Sequence, residues 1–280
     1  MLYFPHRDLK KAFPVILDCR EGSMGLADLT PFMVIVVIIG VFFASFMDAI
    51  AGGGGIISLP AYLLSGLPMH TALGTNKLSA GIGTAVSSWR YAKNGCVDWK
   101  LVPSSAACAL IGSHLGTRLQ LIMPEEVLQF MLLPVLPLVA FIVLRERSLP
   151  EEAREMPLRR RLFIVSAAAL LIGAYDGFYG PGTGTFLLLL FCHLAGMDVR
   201  TAGGNVKIVN LSSNIGALVT SLAGGRVFLI LGLIGSVSSI AGHWLGSGMA
   251  IKNGSKIVRP VILIVLLLLA VKIFWDLFGG

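Results

Sequence analysis

Two aspartates, two lysines and two glycine runs recur at matched places in this 280-residue chain, each inside otherwise apolar sequence. Asp48-Ala-Ile-Ala-Gly52-Gly53-Gly54-Gly55 returns about 130 residues later as Asp176-Gly-Phe-Tyr-Gly180-Pro181-Gly182-Thr-Gly184. Thr71-Ala72-Leu-Gly74-Thr75-Asn76-Lys77 returns as Thr201-Ala202-Gly-Gly204-Asn205-Val-Lys207, and Gly112/Leu115/Gly116 as Gly242/Leu245/Gly246. A carboxylate at membrane depth costs a few kcal/mol at the least and is a functional candidate by default. Asp48 and Asp176 are therefore either proton- or ion-coupling groups or acids that cap and orient the turns beside them.

The glycine runs have a physical reading of their own. Glycine accepts φ > 0 and lets backbones approach closely. Unwound backbone inside a membrane is tolerated only where it lines a cavity or is buried in protein. Free N–H groups there, and at the start of the short helix that follows, suit an anion. On that reasoning Gly53, Gly54, Gly55, Gly182 and Gly184 are candidate binding backbone. Thr75, Asn76, Asn205 and Asn214 are candidate polar ligands, and Lys77 and Lys207 candidate cations. Lys207, Asn210 and Asn214 share a helix face by their i, i+3, i+7 spacing, as do Lys77 and Thr84. The competing reading has the lysines snorkelling to headgroups and the small residues packing helices, which suits Gly112/Gly116 and Gly242/Gly246 best. His114 and His243 lie in apolar segments without counterparts in the repeat and read as interhelical hydrogen-bonders.

Other chemistry is not written here. No nucleophile–base pair, metal-ligand spacing or cofactor motif appears, and Gly52–Gly55 lacks the Lys-Ser/Thr that a nucleotide loop needs. The chain does not read as an enzyme, and transport by it is secondary or passive rather than driven by ATP. A net charge of +7 raises nucleic acid as a partner, but the basic residues sit in short loops beside apolar segments, as orientation determinants do. Cys19, Cys96, Cys108 and Cys192 show no pairing and no C-x-x-C, and read as small apolar residues.

The elements that must position these residues are membrane helices. With 55% hydrophobic and 13% charged residues the chain is too apolar for a soluble domain, which runs near one quarter charged. Pro31–Ala51, Ala72–Trp89, Leu101–Ile122, Val127–Leu144, Arg161–Tyr175, Ala202–Ala223, Val227–Ala250 and Ile257–Trp275 approach the ~20 residues that cross a bilayer. Gly52–Leu67 and Gly180–Gly196 are shorter. Each reads as a broken helix that crosses or a re-entrant hairpin that returns. The expectation is an all-α polytopic membrane protein with ten hydrophobic segments in two repeats of five. A polar lead occupies 1–30, unless translation begins at Met24. The repeats are 31–144 and 162–280, joined by a basic cytoplasmic linker at 145–161. Positive-residue counts nearly balance between eight and ten crossings. The acidic loop Arg118–Glu126 against its basic counterpart Lys252–Arg259 favours ten, with the repeats inverted.

The run Tyr175-Asp-Gly-Phe-Tyr-Gly-Pro-Gly-Thr-Gly-Thr-Phe186, with Thr75-Asn76-Lys77-Leu78 and Lys207-Ile-Val-Asn210-Leu-Ser-Ser213-Asn214, resembles the sulfite exporter TauE/SafE family over roughly Pro31 to Trp275. Within that family it resembles the YfcA-like branch. The resemblance implies a multi-pass protein of the bacterial inner membrane. It implies a secondary transporter of a small sulfur oxyanion, sulfonate or organic acid, for which Asp48 and Asp176 are the candidates to couple movement to protons. The motif residues carry over onto Gly52 to Gly55, Thr75, Asn76, Lys77, Asp176, Gly180, Pro181, Gly182, Lys207 and Asn214. One departure is that asparagine and lysine are adjacent in the first half (Asn76-Lys77) and separated in the second (Asn205-Val206-Lys207). A passive anion channel and a non-transporting membrane scaffold are the alternative readings.

Overall fold

The computed structural model describes residues 29–124, 128, 149–258, 260, 261 and 264. The segments expected over Val127–Leu144 and most of Ile257–Trp275 lie outside those residues, as do nearly all of the polar lead and the start of the basic linker. Regular structure among the described residues is helical: α1 (Pro31–Ala51), α2 (Gly55–Leu64), α3 (Met69–Lys93), α4 (Val102–Ile122), α5 (Leu158–Phe178), α6 (Thr183–His193), α7 (Val199–Ala223) and α8 (Leu229–Asn253).

Local chemistry sets the ends of these helices. Thr30 caps α1 by accepting from the Met33 N–H, with Pro31 at the first helical position, where its missing N–H costs nothing. Asp198 caps α7 by accepting from the Arg200 and Thr201 N–H groups at 3.1 and 3.0 Å. Gly52 and Gly53, at φ of 80° and 89°, end α1, and Gly182 at 83° opens α6. Pro60 inside α2 lacks the N–H of a continuous helix, which suits so short an element.

By length and composition α1, α5, α7 and α8 can cross a membrane, and α2 and α6 are apolar but short. The helices α3 and α4 are as long but less apolar. Their polar residues face protein rather than lipid: Thr75, Ser79, Thr84, Ser87 and Ser88 on α3 and Ser113, Thr117 and Gln120 on α4 are buried. Burial across the molecule has the sign expected in lipid. Lys77, Lys207, Asp176 and His243 are inside, while Phe32, Phe43, Phe163, Leu171 and Val237 point outward. That arrangement would be untenable in water and is ordinary in hydrocarbon. The exposed Trp89 and Trp244 rings stack at 6.1 Å with Arg90 over Trp244, an aromatic and basic grouping typical of a headgroup boundary. Cys96, Cys108 and Cys192 are free, and Cys96 and Cys192 are buried.

Packing between the halves is reciprocal. Helix α4 lies on α5, where Gly112 and Gly116 sit against Leu170, Ala174 and Phe178, and α8 lies on α1, where Gly242 and Gly246 sit against Phe42 and Phe46. These glycines let helix backbones touch, and a Cβ at any of them would enter a neighbouring backbone. The order of the contacts gives direction. Gly74, Gly83 and Ser87 meet Arg226, Ser239 and His243, so α3 and α8 run parallel. Gly242 and Gly246 step along α1 in the same sense, so α1 is parallel to both. Gly74 meets Ser221, Gly81 meets Asn214 and Tyr91 meets Gly203, so α3 and α7 run antiparallel. Gly40 against Ala61 and Ala44 against Gly54 make α1 and α2 antiparallel. The chain thus turns back within the protein at Gly52–Gly54 and turns again before α3.

Candidate functional site

The two glycine breaks meet. Gly52 backs onto the Gly184–Thr185 peptide, and Gly55 onto Gly180 and Pro181. The Thr185 hydroxyl donates to the Ala51 carbonyl at 3.0 Å, satisfying one of the groups that the end of α1 leaves without an intrahelical partner. Tyr175 does the same for its own half, donating to the Pro181 carbonyl at 2.7 Å.

Beside this crossing lies a cavity of about 50 Å³, room for a few water molecules. Of the residues singled out by sequence, Asp48, Gly53, Gly54, Gly55, Asn76, Lys77, Asp176, Gly184 and Asn214 line it. The others stand elsewhere. Thr75 accepts from the Phe228 N–H at 2.9 Å and ties α3 to the start of α8. Gly182 is the left-handed cap of α6. Asn205 bonds back to the Thr201 carbonyl, and Lys207 lies behind Asp48. Residues not named as binding or coupling candidates complete the wall, among them Ser45, Ser58, Ser79, Thr183, Asn210 and His243, the last an interhelical hydrogen-bonder to Ser87 as expected. Asn210 was within reach of the spacing argument, since it shares a face with Lys207 and Asn214. Nothing local marks His243, because its meaning comes from α1.

The charges pair across the halves. Lys77 of the first half meets Asp176 of the second at 2.8 Å, and Lys207 of the second meets Asp48 of the first at 2.9 Å. Lys207 also donates to the Asp48 main-chain carbonyl. The Ser213 hydroxyl donates to Asp176 at 2.6 Å, and the Gly54 N–H to Asp48 at 3.3 Å. His243 places Nε2 3.8 Å from Asp48 and Nδ1 3.1 Å from the Ser87 hydroxyl. Two lysines and two aspartates balance, so the cavity is polar without an excess of positive charge.

The positive potential at the cavity comes instead from fixed dipoles. The N-terminal residues Gly55 of α2 and Thr183 and Gly184 of α6 all border the cavity, and each helix start presents N–H groups and a partial positive charge. The Asn76 and Asn210 side-chain oxygens are buried without a hydrogen-bond partner. An amide can turn oxygen or nitrogen inward, so both are available to an occupant. Lys77 supplies the one cation on the cavity wall among the described residues.

Comparison with known proteins places the chain in a family. The sulfite exporter TauE/SafE family profile matches residues 37–273. Similar proteins include probable membrane transporter protein ORF9 of Sinorhizobium, 34% identical over 254 residues that cover 90% of this chain and 96% of the relative. A probable membrane transporter protein of Haemophilus influenzae is 34% identical, covering 84% of this chain and 92% of its own. Probable membrane transporter protein YfcA of Escherichia coli K12 is 33% identical, covering 89% and 94%. No solved structure matches. These relatives are transporters rather than enzymes, and with its membrane-length helices the chain is a multi-pass membrane transporter belonging to the TauE/SafE family.

Proposed function

We propose that the protein is a secondary transporter of a small anion, a sulfur oxyanion, sulfonate or small organic acid, that works by alternating access between two inverted halves. The observation that carries this reading is the convergence of two half-helix N-termini and Lys77 on one cavity at the crossing of the glycine breaks. The family name points to sulfite as the first substrate to try. Held by Lys77, the α2 and α6 N–H groups and the Asn76, Asn210 and Asn214 amides, an oxyanion would have every oxygen satisfied. Rocking of one half against the other about the Gly52–Gly184 contact would expose it to either side.

Inversion is supported by direction. The long helices described in the first half run opposite to their sequence counterparts: α3 against α7 directly, and α1 against α5 and α4 against α8 through the parallel pairs α1–α8, α3–α8, α4–α5 and α4–α7. Turning back at the glycine breaks makes four alternating elements in each described half, and a fifth in each repeat, outside the described residues, would bring the proposed total to ten. Single cysteines at Asn94, after α3, and Gly224, after α7, both exposed, test it in a background without the four native cysteines. Membrane-impermeant maleimide is expected to reach them from opposite sides of the membrane, and labelling from one side would rule the inversion out.

Transport itself is tested with purified protein in liposomes. Uptake of sulfite, thiosulfate or methanesulfonate should saturate with concentration, and Lys77→Gln should lower it at least about tenfold, the usual effect of removing a buried charge that meets a ligand. Flux that rises linearly without saturation identifies a passive channel, and no flux of any of the three leaves a scaffold.

A further inference from the structure

We propose that the two crossed ion pairs divide the work: Lys77–Asp176 opens to take the anion together with one proton, while Lys207–Asp48 is a fixed latch between the halves. This rests on the anion-transport reading above. The pairs are sequence counterparts with different surroundings. Lys77 lines the cavity and bonds Asp176 at 2.8 Å. Lys207 does not line it; its ammonium is covered by Asp48 and bonds both the carboxylate and the main-chain carbonyl of that residue. That carbonyl belongs to the last turn of α1, where a cation is favoured by the helix dipole. A lysine anchored at both points holds α1 to α7. A lysine with a single carboxylate beside a cavity is free to turn.

The acids differ in the same sense. Facing Asp176 are Lys77 from α3 and Ser213 from α7, with Thr183 of α6 and the Gly180 turn beside it and Thr117 of α4 on the next carbonyl. Facing Asp48 are Lys207 from α7, His243 from α8 and the Gly54 N–H, with Tyr91 of α3 donating to the neighbouring Ala49 carbonyl. Ser213 falls opposite Gly83 in the repeat and His243 opposite Ser113, so neither environment is copied in the other half.

An anion entering the cavity reaches Lys77 by displacing Asp176 alone. Asp176 then keeps the Ser213 hydroxyl but loses its counter-ion, and an unpaired buried carboxylate is costly. It takes up a proton on the oxygen that Lys77 leaves. No covalent bond other than the new O–H is made, and none is broken. Before binding the site holds Lys77⁺ and Asp176⁻; afterwards it holds Lys77⁺, the anion and neutral Asp176. For a monovalent anion the charge is the same in both states, so the loaded carrier crosses without working against the membrane potential. Release re-forms the ion pair and expels the proton. Asp48 stays ionised throughout against Lys207, Gly54 N–H and His243.

Methanesulfonate, whose charge is constant across the assay range, is the probe. In liposomes with an imposed pH gradient the wild type should accumulate it without generating current, and an internal pH dye should report proton entry with the anion. Asp176→Asn, which carries no exchangeable proton, should lose accumulation above the external concentration while still exchanging internal for external methanesulfonate. Asp48→Asn should show a lowered Tm and slower uptake, but the methanesulfonate it does take up should still enter with a proton. Accumulation by Asp176→Asn, or uptake without proton entry in Asp48→Asn, overturns the assignment. Should Asp176→Asn fail to fold, the wild-type dye signal decides: methanesulfonate uptake without proton entry overturns it. A wild type that carries neither methanesulfonate, sulfite nor thiosulfate overturns the anion reading beneath it instead.

Discussion

Alanine at Gly52 is expected to destabilise the protein by more than about 3 kcal/mol and to abolish transport. Two independent costs combine at this position. Gly52 sits at φ +80° and ψ −179°, a region essentially reserved for glycine, where a non-glycine residue costs on the order of 1–3 kcal/mol. Its Cβ would also enter the Gly184–Thr185 backbone of the opposite break, and overpacking a tight site typically costs about 1–3 kcal/mol more. Backbone cannot rotate out of the way as a side chain can. Gly95→Ala separates the two terms, because Gly95 has φ +71° but a Cβ there meets no described atom within 4 Å. That variant should lose only about 1 kcal/mol and retain uptake. Thermal denaturation of the detergent-purified variants checks both. Equal Tm losses at Gly52 and Gly95 would mean that the two breaks do not press on each other. The consequence for function is that the break is a contact between halves as well as a lining of the cavity, so each half's turn limits where the other can go.

Much of this arrangement was legible in the sequence because membrane burial constrains composition so strongly. An acid, a glycine run and a lysine inside apolar helices must face protein, and the repeat tied Asp48 to Asp176 and Lys77 to Lys207 before any contact was known. What the repeat could not tell is who pairs with whom. From spacing alone the two lysines read as a positive midpoint, whereas each is neutralised by the acid of the other half. That crossing depends on the antiparallel approach of α3 and α7, a tertiary relation with no local signature. The same limit applies to His243, which gains Asp48 and Ser87 only when α8 packs on α1 and α3. Thr75 and Asn205 belong to the recurring motif yet stand off the cavity, because a motif conserved between halves also carries the residues that fasten helices together. The low apolarity of α3 has the same origin: its serines and threonines bond to neighbouring helices and to its own carbonyls rather than facing lipid.

Lys207→Gln should be the more damaging change of the two lysines, at about 3 kcal/mol, because it leaves the half-buried Asp48 carboxylate without its counter-ion. The Lys207 side chain is 2% accessible, so water does not replace it. The Asp48 carbonyl at the end of α1 loses a donor at the same time. Adding Asp48→Asn to Lys207→Gln removes the stranded charge and should recover at least about 1 kcal/mol of the loss, the sign of a direct coupling. Lys77→Gln should cost less than Lys207→Gln, since Asp176 keeps the Ser213 hydroxyl, whereas Lys207→Gln also takes a donor from the Asp48 main-chain carbonyl. Chemical denaturation of the three variants and the double mutant in detergent supplies the comparison. Similar losses for Lys77→Gln and Lys207→Gln, with no recovery in the double mutant, would make the pairs equivalent supports and remove the reason for one to open while the other holds. A larger loss at Lys207 with recovery in the double mutant means that one pair is bound to the backbone of the opposite half. The other is then the only one of the two that can release its lysine without loosening the contact proposed as the pivot between the halves.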